Sequence, residues 1–188
     1  ASSKFEAKKG IKLICKNIIT IIRSAIIGVG VGIIPGVGED TGGWLSYWAT
    51  KSLSSEEERK TFGKGNPRGV ITVETGNNSC IGGAIIPVLS LAVPGSAPAA
   101  VLLAAFLMHG YRPGPLLMSE SPDFLYNICV YLALASFAMF LIALVLSKIT
   151  VKILGVNKKF LMPIIYVLCV IGSYLINYNL FDVKVMFI

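Results

Sequence analysis

One histidine, His109, stands in a chain of 188 residues, so a histidine-ligated metal centre or a Ser-His-Asp triad has a single imidazole to draw on. The patterns G-x-S-x-G, H-E-x-x-H, G-x-G-x-x-G and the Walker A loop are missing despite 19 glycines. Their absence argues against a hydrolase, a zincin, a dinucleotide-binding fold and a P-loop enzyme. The four cysteines, Cys15, Cys80, Cys129 and Cys169, fall at no C-x-x-C or metal-ligand spacing and read as small hydrophobes, with no disulfide or zinc site expected. No catalytic residue, metal or organic cofactor is therefore expected. Charge is scarce as well, at 14% of residues, against about 25% in ordinary soluble domains.

What fills the chain instead is apolar. Hydrophobic residues make up 54% and the mean hydropathy is +0.73, which points to an integral membrane protein. Residues 18–34, 124–147 and 160–177 carry no charge apart from Arg23, and each approaches the roughly 17 to 25 residues that a span needs. The expected fold is all-α: a polytopic membrane protein with transmembrane helices and two broken or re-entrant helices. The net charge of +7 comes from lysines beside the apolar segments, where the positive-inside rule accounts for them without nucleic acid. Residues 1–17 read as a basic, amphipathic cytoplasmic lead-in. The loop 112–123 sets Arg112 against Glu120 and Asp123 and is placed outside; the loop 148–159, with Lys148, Lys152, Lys158 and Lys159, is placed inside. The chain is expected to form one membrane-embedded region. Within it, 18–111 holds the first span and two interrupted segments, and 112–188 two further spans and a truncated tail. It opens without Met and closes as residues 183–188 turn apolar, so it reads as a piece of a longer protein.

The two interruptions are Pro35-Gly36 and Pro94-Gly95. A helix that stops and restarts at membrane depth frees N–H and C=O groups that hydrocarbon cannot satisfy, so such breaks persist where protein or a water-filled cavity receives them. Paired interrupted segments are a sequence pointer to a transporter's binding site. Gly28, Gly32 and Gly36 lie four apart on one helical face, where another backbone can approach. A re-entrant hairpin with its tip at 35–43 is expected, followed by a discontinuous helix over 79–109 broken at Pro94.

Around these breaks stand the candidate site residues. Asp40 or Thr41 would cap a helix over 42–50; alternatively the free N–H groups there receive an anion while Glu39 or Asp40 holds a cation. Glu74 with Asn77 and Asn78 would converge at the entry of a helix starting at Ser79, or simply cap it. Gly95 allows close approach to backbone, and Ser96 either caps the next helix or bonds a carboxylate directly, with Pro98 in the first turn. His109 reads as a helix C-cap, and Trp44, Tyr47, Trp48, Tyr126, Tyr174 and Tyr178 as interfacial aromatics.

The strings GIIPGVG at 32–38, FGKG at 62–65, GVITVETGNN at 69–78, IPVLSLAVPGS at 86–96 and HGYRPGP at 109–115 closely resemble the TctA family, the large permease subunits of tripartite tricarboxylate transporters. The likeness runs over nearly the whole chain and corresponds to part of the permease's second half. It implies secondary active import of tricarboxylates or related carboxylates across a bacterial inner membrane, coupled to a cation, Na+ or H+. It also implies two partners, a small membrane subunit and a periplasmic solute-binding protein. The broken-helix argument assigns Gly36, Gly38, Thr41, Asn77, Asn78, Pro94, Gly95 and Ser96 to substrate and Glu39, Asp40 and Glu74 to the cation. Glu39 and Asp40 stand where many members carry small or apolar residues, which favours a cation at the first tip and leaves the carboxylate to Pro94-Gly95-Ser96. The alternative is a membrane scaffold or channel segment whose breaks serve packing only.

Overall fold

The computed structural model describes residues 7–154 and 158–187; Lys4 of the basic lead-in, residues 155–157 of the expected inner loop and Ile188 lie outside them. Among the described residues all regular structure is helical. The elements are α1 (Ala7–Lys16), α2 (Ile18–Gly32), α3 (Glu39–Ser52), α4 (Glu56–Arg59), α5 (Pro67–Leu91), α6 (Ala97–Met108), α7 (Leu117–Glu120), α8 (Pro122–Leu154), α9 (Lys158–Asn177) and α10 (Leu180–Met186). They fall into two compact units, Ala1–Leu125 and Tyr126–Ile188.

In the first unit α2, α3 and α5 pack on one another. The chain turns between α2 and α3 at residues 33–38, where Gly36 (φ +81°) and Gly38 (φ +77°) take left-handed conformations that side chains resist. Arg23 and Ser24 of α2 meet Thr50 and Ser46 of α3, so the pair is an antiparallel hairpin. Its tip is the expected Pro-Gly break.

Small residues let these helices approach. A Cβ added at Gly28 would strike the Gly76 carbonyl, one at Gly32 the Cys80 carbonyl, one at Gly83 the Val29 carbonyl, and one at Gly76 the Ser46 hydroxyl. Gly28 and Gly32 thus do what their spacing predicts; Gly36 does not, because the helix has already ended and a Cβ there would meet nothing within 4 Å. Gly69 gives room for Tyr47 and Phe62, whose rings meet edge to face at 5.5 Å. Tyr47 is therefore part of this packing, whereas Trp44 and Trp48 stay exposed.

The helix expected from Ser79 instead begins at Pro67. Asn66 accepts from the Arg68 N–H at 2.8 Å as its cap, and proline occupies the first turn. It ends at Ala92, left-handed at φ 55°, and restarts at α6, so the break around Pro94 is present. Ser96 caps α6 by accepting from Ala99 N–H at 3.3 Å, with Pro98 in the first turn and His109 as C-cap.

Of the three expected spans, one is a helix both long and apolar enough to cross a membrane: 26 residues, Pro122–Ser147, within α8. The helix continues to Leu154, so residues 148–154 are helical where a loop was expected. α2 has 15 residues, about 22 Å at 1.5 Å per residue, and α1 is bent from it by 69°. The apolar part of α9, Lys159–Leu175, is at the short end of the range for a span. In the second unit α10 returns onto α9, with Tyr166 and Phe187 rings 5.8 Å apart.

Candidate binding site at the junction of the helix breaks

The two breaks meet. Gly95 is buried, and a Cβ placed on it would sit 3.7 Å from Gly36 N and Ile34 O and 3.8 Å from Gly32 O. Ser96 Oγ donates to Glu39 Oε1 at 2.5 Å. Glu39 is the first residue of α3, after Gly38 as N-cap, so its carboxylate sits where the first turns of α3 and α6 come together. Both helices turn the positive end of a dipole toward it, although at α6 the Ala99 N–H is already taken by Ser96 and Pro98 has none, and a positive helix end favours a carboxylate. Cys80 Sγ, buried on α5, approaches Gly38 O at 3.6 Å and closes the floor beneath the first break.

Thr41 hydroxyl donates to Val37 O at 2.9 Å, holding the break's backbone. Neither Asp40 nor Thr41 is the N-cap; the helix starts earlier, at Glu39, because the flexible Gly38 lets the chain turn there. Asp40 is exposed in the first turn, and Pro94 is half-buried beside Gly95.

The segment 74–78 differs from expectation. It lies inside α5 and caps nothing: Asn78 Nδ2 donates to Glu74 O at 2.8 Å, one turn back. Asn77 is half-buried beside Gly43, its Cβ 3.6 Å from where a Gly43 Cβ would be. Glu74 is exposed and lines grooves shared with Gly65 and Val70, away from the Glu39–Ser96 contact. The structure thus gathers Gly36, Gly38, Glu39, Pro94, Gly95 and Ser96, and leaves Glu74 and Asn78 outside the cluster.

Below the junction lies a polar seam that inspection for charged and Pro-Gly motifs passes over. Ser24, Ser46, Thr50 and Thr72 are wholly buried. Thr72 Oγ1 lies 2.5 Å from Ser24 Oγ, 2.8 Å from Thr50 Oγ1 and 3.1 Å from Ser46 O, to which it donates. A hydroxyl has one proton and two lone pairs, so Ser24 and Thr50 are the donors to Thr72. Arg23 Nη2 reaches Thr50 Oγ1 at 3.4 Å. At the basic end Arg68 joins Thr20 (2.9 Å) and Glu58 (2.9 Å). The signal was present as small residues at helical spacing: Thr20, Ser24, Gly28, Gly32 on α2, and Gly69, Thr72, Gly76, Cys80, Gly83 on α5.

Residues 2–188 match the Tripartite tricarboxylate transporter TctA family. The chain belongs to the TctA family. An uncharacterized 52.8 kDa protein in the TAR-I ttuC' 3' region of Agrobacterium vitis is 34% identical to this TctA-family chain over 163 residues, covering 87% of the chain and 32% of that relative. A second uncharacterized protein from the same organism, in the TAR-II ttuC' 3' region, is 31% identical over 153 residues, covering 81% of the chain and 62% of the relative. The chain thus spans less than two thirds of either relative's length. No solved structure matches it.

Proposed function

We propose that this TctA-family chain forms half of the solute site of a permease subunit that imports tricarboxylates or related carboxylates through a bacterial inner membrane. A cation, Na+ or H+, drives the import. The observation that carries the reading is the Glu39–Ser96 contact between two helix breaks. Depth supports it. From Arg68 to Cys80, α5 rises about 18 Å, so with the basic end at the cytoplasmic interface the junction lies near the middle of a hydrocarbon core of ~30 Å. In this polytopic arrangement the shorter helices α2, α6 and α9 complete their crossings against the rest of the permease. The family's name supports a three-part system, in which a small membrane subunit and a periplasmic solute-binding protein are the other two parts.

Coupling follows from charge. Ser96 and the first turns of α3 and α6 favour a carboxylate, and Glu39 already supplies one. A substrate carboxylate arriving about 4 Å from Glu39 meets repulsion of order 4 kcal/mol at an effective dielectric of 20, close to a thousandfold in affinity. A sodium ion between the two, or a proton on Glu39, removes that repulsion. Solute therefore binds well only with its cation. Gly36, Gly38, Thr41 and Asp40 shape the cation side; Pro94 and Gly95, with Asn77 from α5, shape the solute side.

Glu39→Gln in the complete transporter keeps an acceptor for Ser96 without the charge. Initial uptake rates in membrane vesicles across a range of Na+ and pH are expected to lose their cation dependence. Retention of the wild-type dependence would remove Glu39 from the coupling role.

A further inference from the structure

α1 leaves α2 at Asn17 with a 69° bend, and the Asn17 amide secures the turn by donating to Leu13 O at 2.8 Å. With α2 crossing the bilayer, α1 lies close to the surface plane. Lys9, Lys12 and Lys16 recur on one side of it, while Ile11 and Ile14 project from another, 62% and 50% exposed. That is the pattern of a helix at a lipid interface.

Two adjoining cavities open beneath α1, sharing Leu13 and Pro67. One, of about 580 Å³, is walled by Lys16, Asn17, Thr20, Asn66 and Arg68, with Glu58 as its acid. Arg68 is bonded to Glu58 and to Thr20 through Nη1 and Nε, so that acid is neutralised and Lys16 leaves the wall net positive. The other, of about 660 Å³, is mostly apolar, with Ile14, Ile21, Val70 and Ile71, and Glu74 as its one charged wall residue.

We propose that this paired cavity binds an acidic phospholipid from the leaflet on the basic side. Its phosphate lies against Lys16, Asn17 and Arg68, and an acyl chain runs along Ile14, Ile21, Val70 and Ile71. The polar and apolar halves adjoin as head and chain do in such a lipid, and the positive excess of the polar half, where Lys16 and Arg68 face Glu58 alone, selects an anionic head. Bound there, the lipid wedges α1 against the start of α5 and steadies the base of the α2–α3–α5 packing. The site rests on the membrane placement above but not on transport.

The complete permease, purified in detergent, is incubated with phosphatidylglycerol, phosphatidylcholine or inorganic phosphate, and bound lipid is read by native mass spectrometry. Phosphatidylglycerol is retained in preference to phosphatidylcholine. Lys16→Gln and Lys12→Gln each weaken retention about fivefold, as expected for one lysine near an anionic surface, and Ile14→Asn weakens it without changing charge. Equal retention of the two lipids, indifference to both lysine changes, or displacement of phosphatidylglycerol by inorganic phosphate would overturn the proposal. Carboxylate uptake by the same preparation keeps the readings apart: lost uptake with intact lipid selectivity counts against transport alone, and lost selectivity with intact uptake against the lipid site alone.

Discussion

Ser96 Oγ donates to Glu39 Oε1 at 2.5 Å while accepting the Ala99 N–H at 3.3 Å, so one hydroxyl caps α6 and ties it to the first turn of α3. The residues are 57 positions apart. Each stands at the start of the helix that follows a Pro-Gly break, and their contact turns two separate breaks into one polar junction.

Ser96→Ala removes both bonds. Losing the cap costs about 1 kcal/mol, and losing a hydrogen bond to a charged group about 1.5 to 3 kcal/mol. In uptake assays on the complete transporter, KM for the carboxylate is expected to rise about 10- to 100-fold, with membrane insertion unchanged. Ser96→Thr keeps the hydroxyl and stays near wild type. Equal KM values for the alanine and serine proteins would remove Ser96 from solute binding.

The glycines of α2 and α5 separate into two kinds. Gly32→Ala and Gly76→Ala push a methyl into the backbone carbonyls of Cys80 and Gly42, overpacking expected to cost about 1 to 3 kcal/mol. Gly30 and Gly82 face open space, and their replacement by alanine gains up to about 1 kcal/mol of helix propensity. Thermal unfolding of the detergent-solubilised permease should lower Tm for the first pair and hold or raise it for the second. Equal shifts would mean that the close helix crossings are not as described.

Thr72 joins three helices through Ser24, Thr50 and the Ser46 carbonyl. Thr72→Val keeps the shape and strands those partners in a buried place, at an expected cost of about 1 to 3 kcal/mol. Thr72→Ser restores the hydroxyl. The same unfolding assay ranks them, valine below serine; the reverse order contradicts the seam's role.

Much of this was legible from residue types. Pro35-Gly36 and Pro94-Gly95 announce the two breaks because proline removes an N–H and glycine admits left-handed backbone. Ser96 announces a helix cap, which it is, while the carboxylate it bonds is that of Glu39, a partner 57 residues away that the local sequence does not name. The start of α5 was hidden: residues 69–78 are polar and glycine-bearing, poor in intrinsic helix propensity. They are helical because Gly69, Thr72 and Gly76 face α3 and α2 at close range, a tertiary contact that no local window contains. The same cause puts Glu74 and Asn78 inside α5, on the helix surface away from the junction, instead of at a helix entry. As N-caps Asp40 and Thr41 fall two and three residues late because Gly38 turns the chain into the helix before them.

The central claim is that solute and cation meet where the two breaks join. Ala97→Cys, on the first residue of α6 and exposed, places a thiol at that junction in a complete permease whose Cys15, Cys80, Cys129 and Cys169 are replaced. With the carboxylate at ten times its Kd and the cation present, labelling of this thiol by a charged reagent is expected to slow about tenfold, as the free-site fraction falls. Neither ligand alone should do so, and Leu107→Cys on the same helix should label at an unchanged rate. Labelling of Ala97→Cys that ignores solute and cation together would contradict the account.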